Sequence, residues 1–235
     1  MDFYQQPNVY KKNILIIGSG GREASIVKKL VECNCNIYCI GTNKNPIILD
    51  VCKKFSLFKN INEVVLLCKS KNINLVVIGP EKYLELGLID ELKKNNIKCI
   101  GPSKKLAQIE TNKYYSRELL KNNNLDQYNP TYKLFTNLDL ENLKTYIDYC
   151  KNLDMNYVIK PIGLCSGKGV YVSNEHFFSD LEGLTYAISI ITRGSSFIIE
   201  EKIIGDEFTL MCYTDGDTIS YMPLVQDFKR LEESN

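Results

Sequence analysis

One histidine in 235 residues, His176, leaves little room for imidazole chemistry. No cysteine stands beside it, so nothing supports a Cys–His catalytic pair, and no catalytic nucleophile is expected. Charge of one sign is also missing, since 29 Lys and Arg against 28 Asp and Glu give a formal net charge of +1. A phosphate polymer or an anionic membrane selects a basic face, so neither nucleic acid nor a membrane is an expected partner. No apolar run approaches the ~20 residues of a membrane span. The opening MDFYQQPNVYKK has no apolar segment of the kind found in secretory signals. Paired C-x-x-C motifs are absent as well. The nine cysteines (33, 35, 39, 52, 68, 99, 150, 165 and 212) are scattered, several within apolar runs, and read as reduced, mostly buried thiols of a cytoplasmic protein.

What is present is ordinary folded composition, 44% hydrophobic and 24% charged, in a chain long enough for two domains. From residue 13 to 102, short β-branched runs (NILIIG, NIYCIG, NLVVIGP, IKCIGP) alternate with amphipathic stretches (REASIVKKLVEC, INEVVLLCKS, LELGLIDELKKN). That alternation predicts a doubly wound α/β domain over 1–102, its parallel sheet covered on both faces. Strands ending at Gly18, Gly79-Pro80 and Gly101-Pro102 leave the carboxyl edge of the sheet open to a ligand.

From 103 the rhythm changes. Helical stretches (SKKLAQIE, NKYYSRELLKNN) precede TYKLF, a helix around LENLKTYIDYCKNL, YVIK, a glycine-rich loop, GVYV, a further helix, and the β-rich FIIEEKI, EFTLMCYT and TISYMPLV. Helices segregated from mostly antiparallel strands predict an α+β domain over 103–235. The recurrent asparagines (KNNNLD, LKKNNIK) are read as compositional bias.

Three segments carry chemistry. The first, ILIIGSGGREAS, nearly matches the dinucleotide fingerprint G-x-G-x-x-G, but Glu23 replaces the third glycine. A dinucleotide site also wants an acid at the end of the second strand, where Gly41-Thr42-Asn43 stand. The second, VIKPIGLCSGKGVYV, places Lys160 at a strand end before a loop with Gly163, Gly167 and Gly169 around Lys168. Glycines let backbone N–H groups approach phosphate oxygens and a lysine adds a point charge, so this is a phosphate clamp between two strands; taken alone it also reads as a flexible glycine hairpin. It is not a Walker loop, because it opens a strand rather than a helix. The third, FIIEEKIIGDEFTL, ends a strand in Glu200-Glu201 and resumes at Glu207. Such a hinge offers backbone to adenine and a carboxylate to ribose, although acids at a strand end are commonly just solvated.

Lys113, Lys160, Glu200-Glu201 and Glu207, in that order with a glycine loop after the second lysine, resemble the ATP-grasp superfamily. Within it, IIGSGGRE, VVIGPEKYLELGLIDEL, IGPSKKLAQIETNK, VIKPIGLCSGKGV, IIEEKIIGDEF and QDFKR are similar, in order and spacing, to the phosphoribosylamine–glycine ligase (glycinamide ribonucleotide synthetase) family. The resemblance implies that Lys113 and Lys160 bind ATP phosphates and that Ser166, Gly167, Lys168 and Gly169 cover them. It implies further that Glu200, Glu201 and Ile203 line adenine and Glu207 holds ribose. Gly18, Gly20, Gly21, Arg22, Glu23, Gly79, Pro80, Glu81, Asp227 and Lys229 are implied to bind the phosphoribosylamine or glycine. The implied reaction is an ATP-dependent ligation in purine biosynthesis through glycyl phosphate, with phosphoribosylamine, glycine and ATP as small-molecule partners and the oligomeric state left open.

The chain departs from the family pattern at Ala24 and Phe228, where the family has histidines. The family's magnesium ligands are expected beyond Asn235, with none inside the chain, so the ATP-grasp domain is expected to be incomplete. Two other readings stay open: a nucleotide-binding fragment without activity, and another purine-pathway ATP-grasp ligase, which GGRE and QDFKR disfavour.

Overall fold

The computed structural model describes residues 11–154, 156–165 and 169–226. In chain order the elements are β1 (Asn13–Ile17), α1 (Gly21–Glu32), β2 (Asn36–Gly41), α2 (Pro46–Val51), β3 (Lys54–Leu57), α3 (Ile61–Ser70), β4 (Leu75–Ile78), α4 (Glu81–Glu85), α5 (Leu88–Lys94) and β5 (Cys99–Ile100). There follow α6 (Lys104–Thr111), α7 (Lys113–Asn122), β6 (Tyr132–Phe135), α8 (Leu140–Asn152), β7 (Tyr157–Pro161), β8 (Tyr171–Val172), α9 (Asp180–Thr192) and β9 (Phe197–Glu201). Last come β10 (Phe208–Thr209), β11 (Cys212–Thr214), β12 (Ile219–Tyr221) and β13 (Val225–Gln226).

The first five strands form one parallel sheet in the order β3-β2-β1-β4-β5. Period-two alternation splits β1 between two cores. Leu15 and Ile17 pack with Val64, Val65 and Cys68 of α3 and Leu88 and Leu92 of α5. Ile14 and Ile16 pack on the other face with Ala24 and Val27 of α1 and Ile48 of α2. The apolar runs are continuous because both faces are covered, which is the doubly wound α/β arrangement expected.

The stretch LELGLIDELKKN is two helices, α4 and α5, not one. Gly87 sits between them at φ +83, a left-handed conformation that ends the first and starts the second. The asparagines also have local work. Asn34, Asn72, Asn96 and Asn124 adopt positive φ just past α1, α3, α5 and α7, the left-handed position that ends a helix.

A second sheet, β6-β9-β7-β8, is antiparallel throughout. Its core joins Phe135, Tyr157, Ile159, Phe197 and Ile199 of the strands to Tyr146 and Cys150 of α8 and Ala187 and Ile190 of α9. Phe135 and Phe197 stack with centroids 5.2 Å apart. Beyond β9, two small ribbons, β10-β13 and β11-β12, stand almost wholly in solvent.

All nine cysteines are free thiols, but only Cys39, Cys68 and Cys150 are buried. Cys33 and Cys212 are exposed and the other four are half-buried, which corrects the expectation of mostly buried thiols. Among the described residues no helix is long and apolar enough to cross a membrane.

Candidate functional site

In the strand order 3-2-1-4-5, chain direction along the sheet reverses between β1 and β4, and a crevice at such a point is open beyond the strand carboxyl ends. The loop after β1 and the loop after β4 meet there. Gly18 N–H donates to Ile40 O (2.8 Å) and Gly79 N–H to Ile17 O (2.9 Å). The Arg22 side chain crosses to the second loop, donating to Gly79 O (2.8 Å) and Glu81 Oε1 (2.9 Å). Burial would push the Glu81 carboxyl up, but its own backbone N–H and Arg22 outweigh that and hold it below the ordinary carboxylate range. Thus Gly18, Gly20, Gly21, Arg22, Glu23, Gly79, Pro80 and Glu81 come together at one sheet edge.

The glycines of this loop differ in what they are for. Gly18 has φ +111, and a Cβ there would lie 2.5 Å from Pro80 Cδ, so both conformation and space require glycine. Gly21 has nothing within 4 Å of a Cβ position and opens α1 toward solvent. Glu23 turns inward beneath the loop: it is 3% exposed and its Oε2 accepts the Gly20 N–H at 2.6 Å. The acid that breaks the dinucleotide fingerprint therefore braces the turn from within.

Residues missed in the sequence tie this loop to the end of β2. Ser19, buried, donates its hydroxyl to Asn43 Oδ1 (2.8 Å), and Asn45 Nδ2 donates to Ser19 O (3.2 Å). Asn45 also caps α2 by accepting from Ile47 N–H, ahead of Pro46 in the first turn. The Asn-Pro pair was a readable helix start.

The second cluster forms where α7 meets the second sheet. Lys113 opens α7, and its Nζ donates to Pro161 O (3.0 Å) and Gly163 O (2.8 Å), gripping the start of the glycine-rich loop. Burial, and then the nearby Lys160 charge, pull its pKa below that of an ordinary lysine. Lys160, near the end of β7, donates to Glu200 Oε2 (2.5 Å). Arg117, one turn after Lys113 on α7, donates through Nε to Glu200 Oε1 (2.6 Å) and through a terminal nitrogen to Oε2 (3.2 Å). Glu200 is 1% exposed on the central strand β9. Burial alone would push its carboxyl up, but Arg117 and Lys160 overcome it and hold the group below the ordinary range. The carboxylate is thus committed to cations, and the Glu200 backbone lies within the sheet, between Tyr132 of β6 and Val158 of β7.

Two cations share one carboxylate and Lys113 stands beside them on backbone carbonyls, leaving positive charge at the base of the loop. Downstream, Gly169 is held by Tyr186, whose hydroxyl donates to Gly169 O (2.9 Å) and whose ring stacks on Tyr171. Glu201 N–H donates to Thr131 O (2.9 Å) at the end of β9, and Ile203 and Glu207 lie on the exposed stretch that follows. Ser166, Gly167, Lys168, Asp227 and Lys229 lie outside the described residues, as does Phe228. His176 accepts the Val172 N–H on Nδ1 (3.2 Å) and stacks against Tyr171, fastening the turn. No group of three or more His, Cys, Asp or Glu side chains that could hold a metal ion occurs among the described residues. The ligands that the resemblance implies for magnesium are not among these residues.

Comparison with known proteins joins the two clusters. Residues 12–110 match the family model described as phosphoribosylglycinamide synthetase, N domain, and residues 111–235 match its ATP-grasp (A) domain. The chain is 35% identical over 226 residues to a phosphoribosylamine–glycine ligase of Pyrococcus horikoshii, covering 94% of this chain and 50% of that protein. It is 36% identical over 227 residues to one of Methanococcoides burtonii, covering 95% and 51%. The chain therefore spans about half the length of the curated relatives it matches. Among solved structures, phosphoribosylamine–glycine ligase of Thermotoga maritima superposes with a TM-score of 0.71 at 21% identity, over 93% of this chain and 51% of that one. An N5-carboxyaminoimidazole synthase of Aspergillus clavatus, solved with ADP and 5-aminoimidazole ribonucleotide, superposes at 0.67 and 16% identity, over 96% and 55%. These two likenesses show a shared fold, and with two adjoining family models spanning residue 12 to the end, the chain belongs to the phosphoribosylglycinamide synthetase family.

Proposed function

We propose that this chain forms the ribotide-binding and nucleotide-clamping part of an ATP-dependent ligase that joins 5-phosphoribosylamine to glycine. ATP phosphorylates the glycine carboxylate, releasing ADP. The ribosylamine nitrogen then attacks the glycyl carbonyl and expels phosphate, so no bond to the protein forms. The contribution of the chain is positioning and charge neutralisation.

The observation that carries this reading is the gathering of three cations beside the glycine-rich loop: Arg117 and Lys160 bond the buried Glu200 carboxylate, and Lys113 grips the Pro161 and Gly163 carbonyls. A surplus of positive charge at partly buried depth seeks an anion, and backbone N–H groups next to it suit phosphate. In this reading Lys113 and Lys160 take the ATP phosphates, with Ser166, Gly167, Lys168 and Gly169 over them. The backbone of Glu200 and Glu201, together with Ile203, lines adenine, and Glu207 takes the ribose. At the other cluster, Gly18, Gly20 and Gly21 let the ribotide phosphate approach the start of α1, with Arg22, Gly79, Pro80 and Glu81 around it and Asp227 and Lys229 from beyond. Glu23 serves there as the internal brace. No step assigned to the described residues is routed through magnesium. The protein acts in the cytoplasm on small molecules.

The exposed ribbons complete the proposal. Ile203, Ile204, Phe208, Tyr213, Tyr221 and Leu224 are each 60% exposed or more, along a stretch in which nothing is buried. So much contiguous apolar surface marks an interface. Its occupant is the remaining half of the ligase, since the relatives are about twice as long as the part matched here. Calorimetric titration with ATP, and separately with ribose 5-phosphate as a stable stand-in for the ribosylamine, tests the two-site assignment. Lys160→Ala removes the first binding and spares the second. Loss of both through one substitution overturns it.

A further inference from the structure

We infer that Arg117 is a positioning residue for the phosphate-binding cation, dividing the Glu200 carboxylate with Lys160 so that Lys160 is restrained without being consumed. The inference rests on the phosphate role proposed for Lys160. Lys113 and Arg117 stand four apart on α7 and so project from one face, toward the ends of β7 and β9. Arg117 grips Glu200 with two nitrogens, the fork geometry that a point charge cannot reproduce. The register of the sheet sets the rest. Lys160 lies opposite Ile198 and Glu200 opposite Val158, so Lys160 and Glu200 are diagonal neighbours on adjacent antiparallel strands, within reach of long side chains. Asn129 fixes the helix from the other side, donating from Nδ2 to Arg117 O at 3.0 Å.

A buried carboxylate must keep a cationic partner. With Arg117 in place, that need is met by a residue that stays where it is, and the Lys160 ammonium is free to turn to an incoming phosphate. With Arg117 neutral, Lys160 becomes the sole countercharge of Glu200 and is held against it.

The test reads Lys160 directly. The chain is treated with an N-hydroxysuccinimide ester of acetate, and the acetylation rate at Lys160 is measured by mass spectrometry, while ATP affinity is measured calorimetrically. Arg117→Gln is expected to slow Lys160 acetylation at least threefold and weaken ATP binding at least fivefold, with Arg117→Lys recovering only part of both. Glu200→Gln is expected to speed acetylation, and in that background Arg117→Gln changes nothing further. Equal acetylation of Lys160 in the parent and Arg117→Gln chains overturns the inference, as does an undiminished effect of Arg117→Gln in the Glu200→Gln background. If Arg117→Gln does not fold, the comparison of Arg117→Lys with the parent decides it: an intermediate slowing supports the inference and none overturns it. Failure of the parent chain to bind ATP would count against the proposed function, while the acetylation series, which needs no nucleotide, still decides the part of Arg117.

Discussion

A Cβ built on Gly79 would lie 1.9 Å from Glu23 Oε1, so the carboxylate of the first loop occupies the space that a side chain on the second would need. Glu23 cannot swing away cheaply, because it is buried and accepts the Gly20 N–H. Gly79→Ala is expected to destabilise the fold by about 1–3 kcal/mol, the usual range for overpacking. Urea denaturation of the variant against the parent measures it; an unchanged midpoint contradicts the brace.

Gly18 and Gly21 should separate fold from ligand. Gly18→Ala meets both a positive φ and Pro80, and should lower stability by about 1–3 kcal/mol. Gly21→Val meets open space and should leave the midpoint within about 0.5 kcal/mol, as ordinary surface changes do. The β-branched side chain would nevertheless block the approach of a ribose phosphate to the start of α1. Denaturation and ribose 5-phosphate titration on the same two variants check both halves.

How far the sequence was legible depends on range. Alternating apolar runs exposed the sheet and its helices, because burial on both faces writes a continuous signal into each strand. The edge strand β3, Lys54–Leu57, was not anticipated: KFSL is short and only half-buried, so neither alternation nor a continuous run marks it. Arg117 was invisible for another reason. Its partner Glu200 is 83 residues away, and nothing local distinguishes it from a solvated arginine on a polar helix. Glu23 was visible, and the resemblance implied a place at the substrate, but nothing local foretold that its carboxylate accepts the Gly20 N–H beneath the loop.

Acid should find Glu200. Its carboxyl is held below the ordinary range in the folded state, so it contributes stability that is complete above the unfolded-state value of about 4.3. That contribution is lost as pH falls from there through the depressed folded value. Glu200→Gln should therefore flatten the loss of stability between neutral and acid pH, while being less stable than the parent at pH 7. Denaturation series from pH 7 to 3 measure this; parallel pH profiles for parent and variant contradict it.

The ribbons should behave as an uncovered interface. Phe208→Asp with Leu224→Asp, both at exposed positions, should leave the denaturation midpoint within about 0.5 kcal/mol and reduce binding of an apolar dye. The same pair should prevent association with the remaining half of the ligase, read by sedimentation.

Product analysis tests the central claim most directly. The purified chain is given ATP, phosphoribosylamine and carbon-labelled glycine, alone and then with a separately produced polypeptide matching the second half of the Methanococcoides burtonii relative. The expected result is labelled glycinamide ribonucleotide, with one phosphate released per product, on mixing and not from the chain alone, and its loss with Lys160→Ala. Product from the unassisted chain, or incorporation of labelled bicarbonate or formate in place of glycine, would contradict the account.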